Sequence, residues 1–166
     1  MEDAFIGMDA LKREHAAQVA AFRRWAQARD WATFHASHYD WWAFPVNRAS
    51  RYGNRYRLTP EAVKALQADT AFLALWREGV SLVCLAWGWD LSAARWVDDP
   101  EPAQRWSRWP VRLYKMALSA WLFQQPEVYA SLRKLAQCLQ ITGETFTYDG
   151  HDLWWVFESP SRPDRH

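Results

Sequence analysis

Apolar residues recur at three- and four-residue steps through most of this 166-residue chain, a period that predicts helices. From 9 to 29, Leu11, His15, Val19, Phe22 and Ala26 share one stripe while Lys12, Arg13, Arg23 and Arg24 fall elsewhere, with Asp9 placed as the N-cap. The many alanines make this face shallow, suited to close packing against another helix. Asp30 is placed to cap a second helix carrying Trp31, Phe34, His38, Trp41 and Trp42, which Pro45 ends. Thr59-Pro60-Glu61 combines a hydroxyl N-cap, proline at the first helical position and an acid in the first turn. Asp69 then caps a helix whose stripe is Phe72, Leu75, Trp76, Val80, Val83 and Trp87, with Gly88 as its stop. Gly79 inside that stripe costs about 1 kcal/mol relative to alanine, which points to close helix approach. Pro110 opens a helix to about Phe123, and Pro126 opens another that stops near Gly143.

Between these stripes the pattern breaks. Residues 46–58 read as a polar loop rich in Arg and Tyr around Gly53-Asn54, and 92–110 as an acidic, proline-broken connection held to the body by Trp96, Trp106 and Trp109. From Thr145 the period changes. Phe146, Tyr148, Asp149-Gly150, Leu153, Trp155 and Phe157 predict a hairpin about an Asp-Gly turn, in which Trp154 and Trp155 point to opposite faces. The expected architecture is mainly α, a compact bundle of about six helices with a small C-terminal β-hairpin. It spans residues 1–158 as one domain, followed by a flexible tail at 159–166.

Composition adds one unusual figure. A chain 50% hydrophobic and 23% charged is that of a folded protein, but 13 Trp, 8 Phe and 6 Tyr are a surplus of rings. Each buried indole needs an acceptor for its N–H, and rings left over suit a partner surface. A net charge of +1 excludes whole-molecule attraction to nucleic acid or to an anionic membrane. Cys84 and Cys138 each lie in apolar helical patterns, so the expectation is two buried thiols in a reducing compartment rather than a disulfide framework. No apolar run of about 18 residues predicts membrane insertion, and the opening Met-Glu-Asp lacks the basic and apolar regions of a signal peptide. The chain therefore reads as cytoplasmic.

The densest stretch is Ser37-His38-Tyr39-Asp40-Trp41-Trp42-Ala43-Phe44-Pro45, four rings and a helix breaker in nine residues. Tyr39, Trp42 and Phe44-Pro45, followed by Leu58-Thr59, Val63, Leu66 and a helix ending near Gly88, resemble the conserved region of the opioid growth factor receptor family. That family carries a Tyr-x-x-Trp-x-Phe-Pro element, a loop, and a Leu-Thr start to two consecutive helices. Arg112-Leu113-Tyr114-Lys115-Met116 resembles its Arg-Ile-x-Arg-Ile helix. The similarity covers roughly residues 30–140. Ser37 stands where the family usually has His, and Trp109-Pro110 replaces a His-Asn pair. What the resemblance implies is an all-helical architecture; the animal receptors are associated with an enkephalin peptide, and no ligand-contact residue carries over.

Candidate chemistry divides between two neighbouring places. Residues Arg48, Arg51, Tyr52, Arg55 and Tyr56, beside Tyr39 and Trp42, interleave guanidinium groups with rings, a pattern able to grip phosphates or single-stranded bases and, at this near-zero net charge, read as a surface for an acidic or extended partner. His35 and His38 share a helix face with Asp40 close by, the beginning of an acid–base or metal set. No His-Glu-x-x-His, nucleophile elbow, phosphate loop or dinucleotide fingerprint is present, and neither cysteine has a base beside it. The reading is a non-catalytic binding or regulatory module for a protein or peptide partner, with no cofactor and no metal. The alternatives are a small-molecule or metal-dependent enzyme using His35, His38 and Asp40 in an aromatic pocket, and a subunit of a larger assembly.

Overall fold

The computed structural model describes residues 4–161; the first three residues and those from 162 on, which include most of the expected tail, lie outside the described residues. Capping chemistry decides where the helices begin. Thr59 Oγ1 accepts from the Ala62 amide at 3.1 Å to start α4 (Pro60–Gln67), and Asp69 Oδ1 accepts from the Phe72 amide at 3.0 Å to start α5 (Thr70–Ala86). The first helix, α1 (Met8–Gln27), begins one residue before Asp9, with Gly7 at the cap, so Asp9 sits in the first turn instead. There its charge still complements the helix N-terminus.

The helix expected from Asp30 is two. Asp30 caps α2 (Trp31–Ala36), Ser37 is extended at φ −85° and ψ 154°, and a single turn, α3 (Asp40–Ala43), follows. The rings of this segment thereby leave the common face that an unbroken helix would give them. Phe34 and Tyr39 enter the core, Trp41 and Trp42 are half-buried, and His38 is exposed.

Layering follows from α1 lying against α5, α2 and α3, while α6 (Pro110–Leu122) packs on α7 (Pro126–Ile141). Gly79 of α5 lets α1 approach: a Cβ there would stand 3.4 Å from the Val19 side chain. Gly88, at φ 80°, turns the chain out of α5 into a short antiparallel pair, β1 (Trp89–Asp90) with β2 (Arg95–Trp96). The helical pattern gave no sign of this pair. At the other end β3 (Thr147–Tyr148) pairs with β4 (His151–Asp152), and Asp149 and Gly150 both take positive φ, the twisted turn that an Asp-Gly pair favours.

The hairpin is shorter than expected. After Leu153 the chain turns into α8 (Trp155–Glu158), so Trp154 and Trp155 do not alternate across a strand. Trp155 is buried against Tyr114, and Trp154 donates from Nε1 to Glu158 at 2.8 Å. The chain is mainly α with a small C-terminal hairpin, and one buried apolar cluster runs from Leu11 to Phe157.

Three buried indole N–H groups find serine hydroxyls distant in the chain. Trp76 Nε1 donates to Ser119 Oγ at 3.1 Å, Trp89 Nε1 to Ser131 Oγ at 3.1 Å, and Trp87 Nε1 to Ser107 Oγ at 2.9 Å. Ser119 and Ser131 are interior positions of α6 and α7, and each is buried. A hydroxyl in a core stripe is costly unless paired, and here it pairs with a ring that has the same need. Cys84 is fully buried and burial pushes its thiol pKa up, while Cys138 is partly exposed, so only the first is the enclosed thiol expected.

A candidate binding face and its adjoining pocket

Arg112 organises the site. From α6 its side chain enters the break between α2 and α3, where Nε donates to Asp40 Oδ1 at 2.6 Å, Nη1 to the Phe34 carbonyl at 3.1 Å and Nη2 to the Ser37 carbonyl at 2.7 Å. The guanidinium lies 4.1 Å from the centre of the Tyr39 ring and 5.1 Å from that of Trp109. The end of α2 leaves carbonyls outside the helix ladder, and the planar fork of arginine reaches two of them and a carboxylate at once, sharing the Phe34 carbonyl with the Tyr39 hydroxyl. Trp109 Nε1 adds a bond to the His35 carbonyl at 2.9 Å.

This arrangement separates the residues of the proposed acid–base set. His35 donates from Nε2 to the Ala103 carbonyl at 2.8 Å, and its burial lowers the imidazole pKa. His38 stands edge-on to Trp109 on the exposed side. Asp40 turns to Arg112. Among the described residues no group of three or more His, Cys, Asp or Glu side chains could hold a metal ion. His35 and His38 line none of the three cavities described below, whereas Asp40 lines the first.

The ring and arginine residues do come together, with one exception. Trp41 meets Tyr52 edge to face at 4.8 Å, Tyr52 meets Tyr56 at 5.8 Å, and Tyr56 meets Trp42 at 5.5 Å, a closed set in which Trp41 and Trp42 are also neighbours at 5.9 Å. Arg51 lies 5.9 Å from the centres of both Trp41 and Tyr52, and Arg55 lies 5.6 Å from that of Tyr56. Tyr52 is 45% exposed and Tyr56 only 8%, so Tyr56 supports the face that Tyr52 presents. Tyr39 is the exception: 1% exposed, it belongs to the core, where it carries Arg112 and donates to the Phe34 carbonyl at 2.9 Å. Arg48 stands over Trp155, 5.0 Å from the ring centre, tying this loop to the C-terminal turn.

Beside this face is a cavity of about 310 Å³, at the lower end of the size of small-molecule sites. Val111, Tyr114 and Lys115 of α6 line it together with Asp40, Trp41, Val46, residues 48–51, the β3–β4 hairpin and Trp155. The Lys115 ammonium rests 4.9 Å from the centre of the Trp41 ring. Burial pushes its pKa down to about 8; the Asp40 carboxylate opposes that and Arg112 adds to it. None of the ion pairs among the described residues involves Lys115.

The sequence reading missed both α6 cations as site residues. The signal was there: Arg112 is four residues before Met116 and seven before Ser119, the same inward stripe. Two further cavities, one between the N-terminal segment and α4 and one between α4 and the α6–α7 turn, have few charged groups. No helix among the described residues is long and apolar enough to cross a membrane. Comparison with protein-family models, with curated proteins and with solved structures finds no match.

Proposed function

We propose that this protein is a non-catalytic binding or regulatory module that engages an extended, acidic segment of a partner protein. The face is Trp41, Trp42 and Tyr52, with Arg48, Arg51 and Arg55 interleaved and Tyr56 beneath. The observation that carries the reading is Arg51: its exposed guanidinium lies within cation–π reach of two rings and takes part in no ion pair among the described residues. A cation already oriented by rings loses little side-chain freedom when a carboxylate arrives. Charge complementarity thus favours an acidic segment, and the neighbouring rings suit aromatic or proline side chains within it. The suggested relation to the opioid growth factor receptor family agrees with such a role and is part of the same proposal.

The test is binding of an immobilised Asp-, Glu- and Tyr-rich peptide against one with Lys in place of each acid. Capture should be selective for the acidic peptide, should weaken with added salt, and should be lost in Arg51→Glu at unchanged melting temperature. Equal capture of both peptides, or undiminished capture by Arg51→Glu, overturns the proposal.

A further inference from the structure

Lys115 is a cation without a counter-ion, lining a pocket. Asp40, the carboxylate whose charge acts on it, forms no ion pair with it and is committed through Oδ1 to Arg112. The side chain is mostly shielded from solvent, its ammonium lies over the Trp41 ring, and both residues line the cavity. Burying a charge without a partner is unfavourable, and the fitting remedy is an anion supplied from outside. The cavity that Lys115 lines is mixed: Val46, Val111, Leu153 and Trp155 supply apolar surface beside charged groups on the 48–51 segment and the hairpin.

We propose that this cavity binds a small aromatic monocarboxylate, with the carboxylate on Lys115 Nζ and the ring among Val46, Leu153 and Trp155. The volume of about 310 Å³ accommodates one ring with a short acidic arm. A single negative charge fits better than two. Asp40 and Arg112 flank Lys115 and offset each other. Arg48 and Arg51 face it from residues 46–51, while Asp149, His151 and Asp152 line the hairpin side. The hairpin carboxylates oppose a dianion at the mouth. This inference does not depend on the partner-binding reading, because the cavity is lined whether or not a protein covers the adjoining face.

Protonation supplies a distinctive signature. With the free amine titrating at about 8, an anion seated on Lys115 raises its pKa, so binding near pH 8 takes up protons. Affinity then falls roughly tenfold per pH unit above that value.

The experiment is calorimetric titration of the intact protein with phenylacetate, alongside phenylacetamide, acetate and phenylphosphonate. The expected result is saturable phenylacetate binding, at least tenfold tighter than that of the amide or of acetate and tighter than that of the phosphonate. The heat at pH 8 should depend on the ionisation enthalpy of the buffer, with proton uptake that survives in His151→Gln and vanishes in Lys115→Met. Lys115→Arg should keep binding but lose the pH dependence above 8. Should Lys115→Met not fold, the ligand series and the buffer dependence of the unaltered protein decide the matter. Equal binding of acid and amide, tighter binding of the phosphonate, absence of saturation at millimolar ligand, or no proton uptake at pH 8 overturns the proposal. Loss of acidic-peptide capture alone leaves it standing, so the two proposals fail separately.

Discussion

Arg112 and Asp40 are 72 positions apart and meet at 2.6 Å inside the protein, with the guanidinium also holding the Phe34 and Ser37 carbonyls. The pair joins α6 to the break between α2 and α3. It thereby sets the position of Trp41 relative to Lys115, both of which line the cavity.

Removing either partner should destabilise the protein by about 3–5 kcal/mol, because the remaining charge stays buried without a mate. Arg112→Met and Asp40→Asn are to be compared by urea unfolding. The double variant should cost clearly less than the sum of the two. Simple additivity would show that the groups act independently.

The paired indoles and serines predict a smaller effect. Ser119→Ala and Ser131→Ala each leave a buried indole N–H without its acceptor, which costs about 1–3 kcal/mol. Denaturant midpoints followed by tryptophan fluorescence check this. Unchanged midpoints would mean that another group, or water, satisfies both rings.

His15 predicts acid sensitivity. It is buried against Phe72 with neither ring nitrogen hydrogen-bonded, and burial lowers its pKa from 6.5 to about 4. Between these values the unfolded chain binds a proton that the folded one refuses, so stability falls as pH drops through this window. The loss by pH 4 amounts to about 3 kcal/mol, at about 1.4 kcal/mol per unit. His15→Leu should flatten the stability profile between pH 6.5 and 4 by that amount; an unchanged slope assigns it to other groups.

Arg51 and Tyr56 lie close together in the chain but differ in what holds them. Arg51→Ala removes an exposed side chain and should change stability by no more than about 0.5 kcal/mol. Tyr56→Ala empties a buried site among Trp42 and Tyr52 and should cost about 3 kcal/mol or more. Thermal unfolding of the two separates a residue of the proposed face from its support. Loss of peptide capture in Tyr56→Ala is therefore not by itself evidence of contact.

Gly88→Ala should be poorly tolerated, since a Cβ at φ 80° would also stand 3.0 Å from the Gln104 carbonyl oxygen. A loss of about 1–2 kcal/mol or more is expected from the backbone conformation alone. Chemical denaturation measures it; an unaltered midpoint would mean that the Gln104 segment moves aside freely.

The local signals in the sequence were sufficient for the helices that cap and periodicity define. Thr59-Pro60, Asp69, Pro110 and Pro126 each start a helix where their own chemistry places it, and Asp149-Gly150 makes the turn its dihedral preferences favour. Those are short-range effects, fixed within a few residues. Where periodicity continued through Ser37 and Trp155, local pattern could not show that distant groups would break it. Arg112 satisfies the carbonyls exposed at the first break, and Tyr114 packs against Trp155 at the turn into α8. The same holds for the site. The rings and arginines of 41–56 were visible as types, but the burial of Tyr39, the parting of His35 from Asp40 and the unpaired ammonium of Lys115 depend on what lies across the core. Only the folded chain determines solvent exclusion and the distance between charges, and those two quantities decide which titratable group is structural and which is left to bind.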